Sequence, residues 1–367
     1  MRRKVDSTMS LNDYDFGDGE RRRMSTLKEV AALAGVSMAT ASAAINNGPV
    51  GKASRERVLA AAKQLNYVPS KAGRMLMTGK SNVIEMVIMT IDGHPDIVRR
   101  TALFYYLMLG VSEVAEANGF GVRYTTRSHD APDVTEYFDH VVGDRSADGI
   151  IIVPQFARDY SFLSALHRAR YPHVMLRPSR NAEDSNYVDL GDYEGGQMVG
   201  QELVGVGASS IALINGPQSH LCAIERERGL SDALLDLGGT IVAKSYSDYT
   251  ISGGYDAMAR IFESGKLPEA VFCTNDYMAA GAMNFLREKG VSVPRDIAVI
   301  GYDDSDLATV VYPALTTLDN RFFEIGQALA EELISVIRGE TTTIARSLIP
   351  IFRERASHSY GKTGWAD

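Results

Sequence analysis

The chain has 367 residues, of which 45% are hydrophobic and 23% charged, and a formal net charge of −8. That length suits two or three domains with ample core, and no apolar run approaches the roughly 18 residues that a membrane span needs. Two cysteines, Cys222 and Cys273, stand far apart without metal-ligand spacing, which fits a reducing compartment.

The first 23 residues, MRRKVDSTMSLNDYDFGDGERRR, are polar and broken by acids. They lack the apolar stretch of a secretory signal, and residues 1–24 are expected to be a tail without a fixed fold. The negative total charge conceals an asymmetry. Between Met24 and Lys80, eight basic residues face two acidic ones, a local charge of +6. A basic head on an acidic body is the electrostatic footprint of a polyanion-binding module, although a merely solvated basic face has the same count.

Three short helical patterns follow the tail. The first starts at a cap, Ser25 or Thr26, and carries Leu27, Val30, Ala31 and Ala34 on one face. Gly35, free to take positive φ, ends it. Ser37 caps the second helix, which runs to about Asn46 and places Ala41, Ala44 and Ile45 toward helix one. Met38, Ala39, Ser42 and Ala43 fall on its other face. Ser54 is expected to cap the third helix, and Pro69 to stop it. The segment PSKAGRMLMTGKS then sets basic residues around apolar Leu76.

From Asn82 the texture changes to short apolar runs alternating with amphipathic helices: VIEMVIMTI, GVRYTTR, DGIIIVP, HVMLRP, SIALING, IVAKSYS, EAVFCTN and DIAVIGYDD. Continuous β-rich runs separated by helices mean βαβ units and parallel sheets buried on both faces. Eight such strands fit two doubly wound subdomains better than one. Enzyme signatures are missing: the chain has no H-E-x-x-H, G-x-S-x-G or Walker loop, and NGFGVR and ISGGYDA are lone glycine pairs. The seven histidines are scattered without metal spacing and are expected mostly on the surface or in loops. No cofactor and no metal is expected.

The stretch TLKEVAALAGVSMATASAAIN resembles the headpiece of the LacI/GalR family of bacterial transcription regulators, and RERVLAAAKQLNYVPSKAGRML is similar to the family's third helix and hinge. VPRDIAVIGYDDSDLATVVYPALTTLDNRFFEIGQ resembles its C-terminal motifs, in the right order. The resemblance spans about residues 25 to 356. It implies an α/β chain: an all-α helix-turn-helix headpiece over 25–69, a hinge helix over 70–81, and a periplasmic-binding-protein-like effector domain. The effector domain's two doubly wound parallel-sheet subdomains are expected over 82–189 with 320–348, and over 190–319 with 349–356. A tail over 357–367 follows.

The expected DNA-contacting residues are Ser37, Met38, Ala39, Thr40, Ser42, Ala43 and Asn46 of the second helix, with Arg74 and Leu76 of the hinge. Met38, Ala39 and Ala43 offer van der Waals contact, for instance to thymine methyls, rather than bidentate hydrogen bonds. The resemblance makes Leu76 a wedge into the minor groove, so that sequence is read partly through the deformability of a base step. Gly73 stands where the family usually has alanine, which costs the hinge helix about 1 kcal/mol.

Ligands of open α/β folds sit beyond the carboxyl ends of the strands. The resemblance places Asp303, Asn275, Arg226 and Tyr249 there, with Phe104, Phe322 and Arg177 as further effector contacts. Aromatic faces and a few charged groups suit a sugar or similar small polar metabolite. Read alone, Asp303 and Arg226 fit a structural salt bridge as well, and the aromatic residues fit ordinary packing. The expected protein is a cytoplasmic, nucleoid-associated repressor of a catabolic operon, not an enzyme. Its partners are a pseudo-palindromic double-stranded operator, a small-molecule effector and a second copy of itself, with no membrane. The C-terminal ASHSYGKTGWAD has no heptad segment, so a dimer rather than a coiled-coil tetramer is expected. The alternative is a solute-binding protein of the same body fold.

Overall fold

The computed structural model describes residues 25–68, 79–91, 103–156, 160–177, 186–265 and 267–359. The chain divides into two compact units, Met1–Gly79 and Lys80–Asp367. In the first, helices α1 (Leu27–Ala34), α2 (Met38–Ile45) and α3 (Lys52–Gln64) pack around Val30, Ala31, Ala34, Ala41, Ala44, Val58 and Ala61. Thr26 and Glu29 form a reciprocal capping box at the start of α1, and Gly35 ends it at φ 63°. Helix α3 corrects one expectation. It starts at Lys52 behind Gly51, without a side-chain cap. Lys52 and Ala53 continue the helix upstream, so Ser54 lies inside the first turn. The chain turns after Gln64, with Asn66 at φ 47°, and Pro69 lies outside the described residues.

In the second unit, six parallel strands run in the order β11-β5-β4-β3-β1-β2. They are β1 (Val83–Thr90), β2 (Gly121–Ser128), β3 (Gly149–Val153), β4 (His173–Arg177), β5 (Asn186–Asp189) and β11 (Ile344–Ser347). Alternation along β1 sends Ile84, Met86 and Ile88 toward helices α4 (Leu103–Ala117) and α12 (Phe322–Arg338). Val87 and Met89 go to the other face, under α5 (Val134–Asp144) and α6 (Leu163–Ala169). Glu85, only 1% exposed, interrupts this apolar strand. Its carboxylate accepts bonds from Arg123, from the Tyr137 hydroxyl and from Thr125 Oγ1. Burial alone would raise its pKa, but these partners hold it below the ordinary value.

A second parallel sheet has the order β7-β6-β8-β9: β6 (Ser210–Asn215), β7 (Thr240–Tyr246), β8 (Ala270–Cys273) and β9 (Ala298–Ile300). Helices α7 (Asp192–Gly205) and α8 (Leu221–Leu237) cover one face. Helices α9 (Ile251–Glu263) and α10 (Asp276–Glu288) cover the other, and a short α11 (Leu307–Val310) follows β9. Strands β10 (Thr317–Asp319) and β12 (Ile351–Arg353) form an antiparallel pair. The eight apolar runs all become strands. Beyond them, β5 (NYVD), β10 (TLD), β11 (IARS) and β12 (IFR) mix polar with apolar residues over three or four positions, so no apolar run marks them as it marks the equally short β8 and β9.

The two lobes repeat one device at their strand entrances. The Asp148 carboxylate, just before β3, accepts Ser81 N at 2.7 Å, Ser81 Oγ at 2.9 Å and Asn82 N at 2.9 Å. Glu269, just before β8, accepts Ser209 N at 2.7 Å, Ser209 Oγ at 2.9 Å and Ser210 N at 2.9 Å. Each acid satisfies amides at the beginning of a first strand. Helices α7 and α8 also approach closely through Gly196 and Gly229. A Cβ on either would sit 2.2 Å from Arg226 O or 2.0 Å from Tyr193 O. That approach sets Arg226 against the N-terminus of α7.

Candidate functional site

The outward face of α2 starts at its N-terminus. Ser37 Oγ accepts the Thr40 amide at 3.1 Å and lies 2.9 Å from Thr40 Oγ1. Met38, 53% exposed, and Ala39 project beside them. Asn46, at the other end, donates from Nδ2 to Ser42 O at 3.0 Å. Ser42 departs from the sequence reading: it is only 7% exposed, and its Oγ lies 3.4 Å from Asn46 Nδ2. Helix α2 packs against both α1 and α3, so its buried arc is wider than one stripe and takes in Ser42. Ala43 is half-buried, with its carbonyl taken by Gly48 N at 2.7 Å.

One base of the basic head serves the fold. Arg55 donates to Ala44 O at 2.9 Å, Asn47 Oδ1 at 3.1 Å and Gly48 O at 2.5 Å. It closes the carbonyl end of α2 with a cation. Lys28, Lys52, Arg57 and Lys63 remain exposed. Arg74 and Leu76 lie outside the described residues.

Within the second unit, the carboxyl ends of strands from both lobes converge on a cavity of about 80 Å³. Six of the seven expected effector residues line it: Phe104, Arg226, Tyr249, Asn275, Asp303 and Phe322. Arg177 ends β4, and its side chain lies outside the description.

The polar wall is a network. Arg226 Nε donates to Asp192 Oδ1 at 2.7 Å and Nη1 to Thr274 O at 2.6 Å. Its guanidinium lies 3.7 Å above the Tyr302 ring, and Nη1 is 3.7 Å from Asp303 Oδ1. Arg226 is thus both buried ion-pair partner and lining residue. Burial opposes its charge, yet the carboxylates and Tyr302 raise its pKa well above the ordinary value. Asp303 sits at φ 111° and accepts Asn320 Nδ2 at 2.7 Å. Burial pushes its pKa well up, against the pull of Arg226. Asn275 caps α10 through Met278 N at 2.9 Å and donates to Tyr249 O at 3.2 Å. Tyr249, at φ 63°, lays its ring where a Cβ on Gly216 would stand, 2.0 Å away, and its hydroxyl lies 3.0 Å from His220 Nδ1.

Residues that the sequence reading passed over complete the lining: Leu107, Val153, Pro154, Gln155, Leu176, Leu190, His220 and Cys222. Gln155 follows β3 at the same kind of strand exit that singled out Asp303 and Asn275, so the rule that found those residues covers it. Three of the histidines are buried, His173, His220 and His358, although His220 and His358 stand in connecting segments, as expected. The lobes are fastened here. Leu221 N donates to Gln155 O at 2.9 Å, Phe156 bridges His220, and their rings meet edge-on at 5.3 Å. Burial raises the Cys222 pKa.

Among the described residues, no group of three or more His, Cys, Asp or Glu could hold a metal, and no helix is long and apolar enough to cross a membrane. Residues 26–70 match the family described as bacterial regulatory proteins, lacI family, and residues 201–358 match the periplasmic binding protein-like domain. The chain is 32% identical over 339 residues to the ribose operon repressor of Escherichia coli (strain K12), covering 91% of this chain and 100% of the relative. A solved complex of the transcriptional regulator CelR with cellobiose matches at TM-score 0.67 and 31% identity, covering 91% and 99% of the two chains. The lac repressor dimer bound to operator and the anti-inducer ONPF matches at TM-score 0.80 and 25% identity, covering 92% and 99%. A DNA-reading headpiece in front of the two-lobed body sets the solute-binding alternative aside: the chain belongs to the lacI family of bacterial DNA-binding transcription regulators.

Proposed function

We propose that the protein represses a catabolic operon and is controlled by a sugar or sugar derivative bound between the two lobes. The observation that carries this reading is the cavity itself, where Phe104 and Phe322 face Asp303, Arg226 and Asn275 across the cleft. Aromatic faces take the apolar face of a sugar ring, and buried charged groups take its hydroxyls. The cavity's 80 Å³ is well below the roughly 300 Å³ at which ligand pockets commonly begin. A ligand of sugar size therefore enters with the lobes moved apart. Linkage follows: a ligand that favours one lobe arrangement shifts the population, and with it the geometry of the hinge over residues 70–81 and the affinity for operator. The headpiece over 25–69 reads DNA through Ser37, Met38, Ala39, Thr40 and Asn46, with Arg74 and Leu76 in the hinge. Two copies grip a pseudo-palindromic site, in the cytoplasm at the nucleoid.

A thermal-shift and calorimetric series over D-ribose, cellobiose and related sugars and sugar acids tests the effector assignment. A true effector at 100 times its Kd stabilises the protein by about 2.7 kcal/mol and changes the retention of operator fragments selected from a random duplex pool. A series in which no carbohydrate shifts the melting temperature overturns the assignment.

A further inference from the structure

The two walls of the cavity differ in how completely their polar groups are used. Arg226, Asp303 and Asn275 are engaged with Asp192, Asn320 and Met278 N respectively. Among the described lining residues of the first lobe, Gln155 is the only one with a polar side chain; the others are aliphatic, aromatic or proline. Gln155 is 5% exposed, and its Nε2 donates to Met89 O at 2.8 Å. That bond fixes which amide atom is which, and it leaves Oε1 buried without a partner. Among the described residues, no other lining side chain holds such an atom.

A buried amide oxygen without a donor is costly, and a native structure keeps one where something else supplies the donor. We infer that Gln155 is a specificity-determining residue of the effector site, whose Oε1 accepts a hydrogen bond from a hydroxyl or N–H of the bound effector. This inference rests on the carbohydrate reading of the cleft. A ligand held by Asp303 on one side meets, among the described residues, one directional acceptor on the other, set in an apolar lining. Gln155 thereby selects which ring position must carry a donor. A ligand without a donor there leaves Oε1 unsatisfied, and that kind of mismatch discriminates more strongly than a missing methylene. The same residue's carbonyl holds Leu221 N of the opposite lobe, so the contact that chooses the ligand lies beside the one that fastens the lobes.

The test is a cycle between residue and ligand. The probe is D-ribose or cellobiose, whichever the wild-type full-length protein binds, together with its monodeoxy analogues. Calorimetry on wild type is expected to show one deoxy position that costs about tenfold in affinity. On Gln155→Met, which keeps the length of the side chain, the parent sugar is expected to bind about tenfold more weakly, and that deoxy penalty disappears. Gln155→Asn, which keeps an amide donor and acceptor on a shorter arm, covers the case in which the methionine variant does not fold: it is expected to shrink that one deoxy penalty and no other. If every deoxy penalty is the same on wild type and variants, Gln155 has no part in selection and the inference is overturned while the carbohydrate reading stands. If no sugar or sugar acid of the series binds wild type, the carbohydrate reading itself falls, and this inference with it, before any substitution is made.

Discussion

The two walls of the effector cleft are built on opposite principles. The described lining of the first lobe is packed hydrocarbon with one amide in it, whereas the second lobe lines the cavity with Asp303 and the buried cation Arg226, backed by two further buried carboxylates, Asp192 and Asp276. Apolar walls are cheap to build and exchange shape for affinity. A buried ionic wall is costly to desolvate and holds only while every partner is present. The comparison teaches where the site is brittle. Trimming the first wall changes the volume of a cavity; trimming the second strands a charge.

The most severe way to break this contrast is Arg226→Met. It removes the one partner of opposite charge that Asp192 and Asp303 share among the described residues. Breaking a buried pair from one side costs about 3–5 kcal/mol, so the denaturant midpoint of the second unit is expected to fall steeply. An unfolding free energy within about 0.5 kcal/mol of wild type would falsify the claim that this wall is an interdependent network.

A smaller effect separates the walls by pH. Asp276 is fully buried, and burial pushes its pKa up to about 6, despite bonds from Thr317 Oγ1 at 2.6 Å, Ser305 N at 2.7 Å and Ser305 Oγ at 3.0 Å. A carboxyl whose pKa is higher folded than unfolded destabilises the fold above its folded pKa. As the pH falls from about 6 toward the unfolded value near 3.9, the folded state binds more protons and stability is regained. The full contribution is roughly 3 kcal/mol at most. Stability–pH curves of wild type and Asp276→Asn are therefore expected to diverge between pH 7 and 4, with only wild type gaining on acidification from this group. Parallel curves would show that Asp276 titrates normally in the fold.

The same contrast explains what was legible in the sequence. Strands β1, β3, β4, β6, β8 and β9 were readable as apolar runs because they are buried, whereas the edge strands β2 and β7 are half-exposed and showed only β-rich composition. Strand β10, TLD, is as short as β9 but lacks its apolar run. Asp303, Asn275 and Arg226 stood out as charged or polar groups at strand exits within recognisable motifs. Gln155 stood at such an exit too, but its meaning lies in an atom left over after Nε2 is satisfied, and only three-dimensional accounting reveals that. Ser42 misled because helical periodicity assumes one covered stripe, while α2 is covered by two helices. Arg55 counted toward a basic surface and proves to be a helix cap. Charge totals cannot distinguish a lysine facing solvent from an arginine whose donors are spent on carbonyls.

The smallest effect concerns the one device that the two lobes share. Glu269 receives two backbone amides and a hydroxyl at the entrance to β6, and these bonds lower its pKa to about 2. A carboxyl whose pKa is lower folded than unfolded stabilises the fold above its unfolded value near 4.3, and that stability is lost as the pH falls toward 2. Because the group is partly exposed, solvent discounts the gain to about 1 kcal/mol. Glu269→Gln keeps one acceptor oxygen but loses the charge. It is expected to lose that increment at pH 7 and to converge with wild type as the pH approaches 2, the opposite slope to Asp276→Asn. Asp148 makes the matching bonds to Ser81 and Asn82 in the other lobe, so Asp148→Asn should speed amide exchange at Ser81 and Asn82 while leaving Ser209 and Ser210 protected. If either substitution loosens both entrances together, the lobes do not carry separate clamps, and the strand starts are held by the body as a whole.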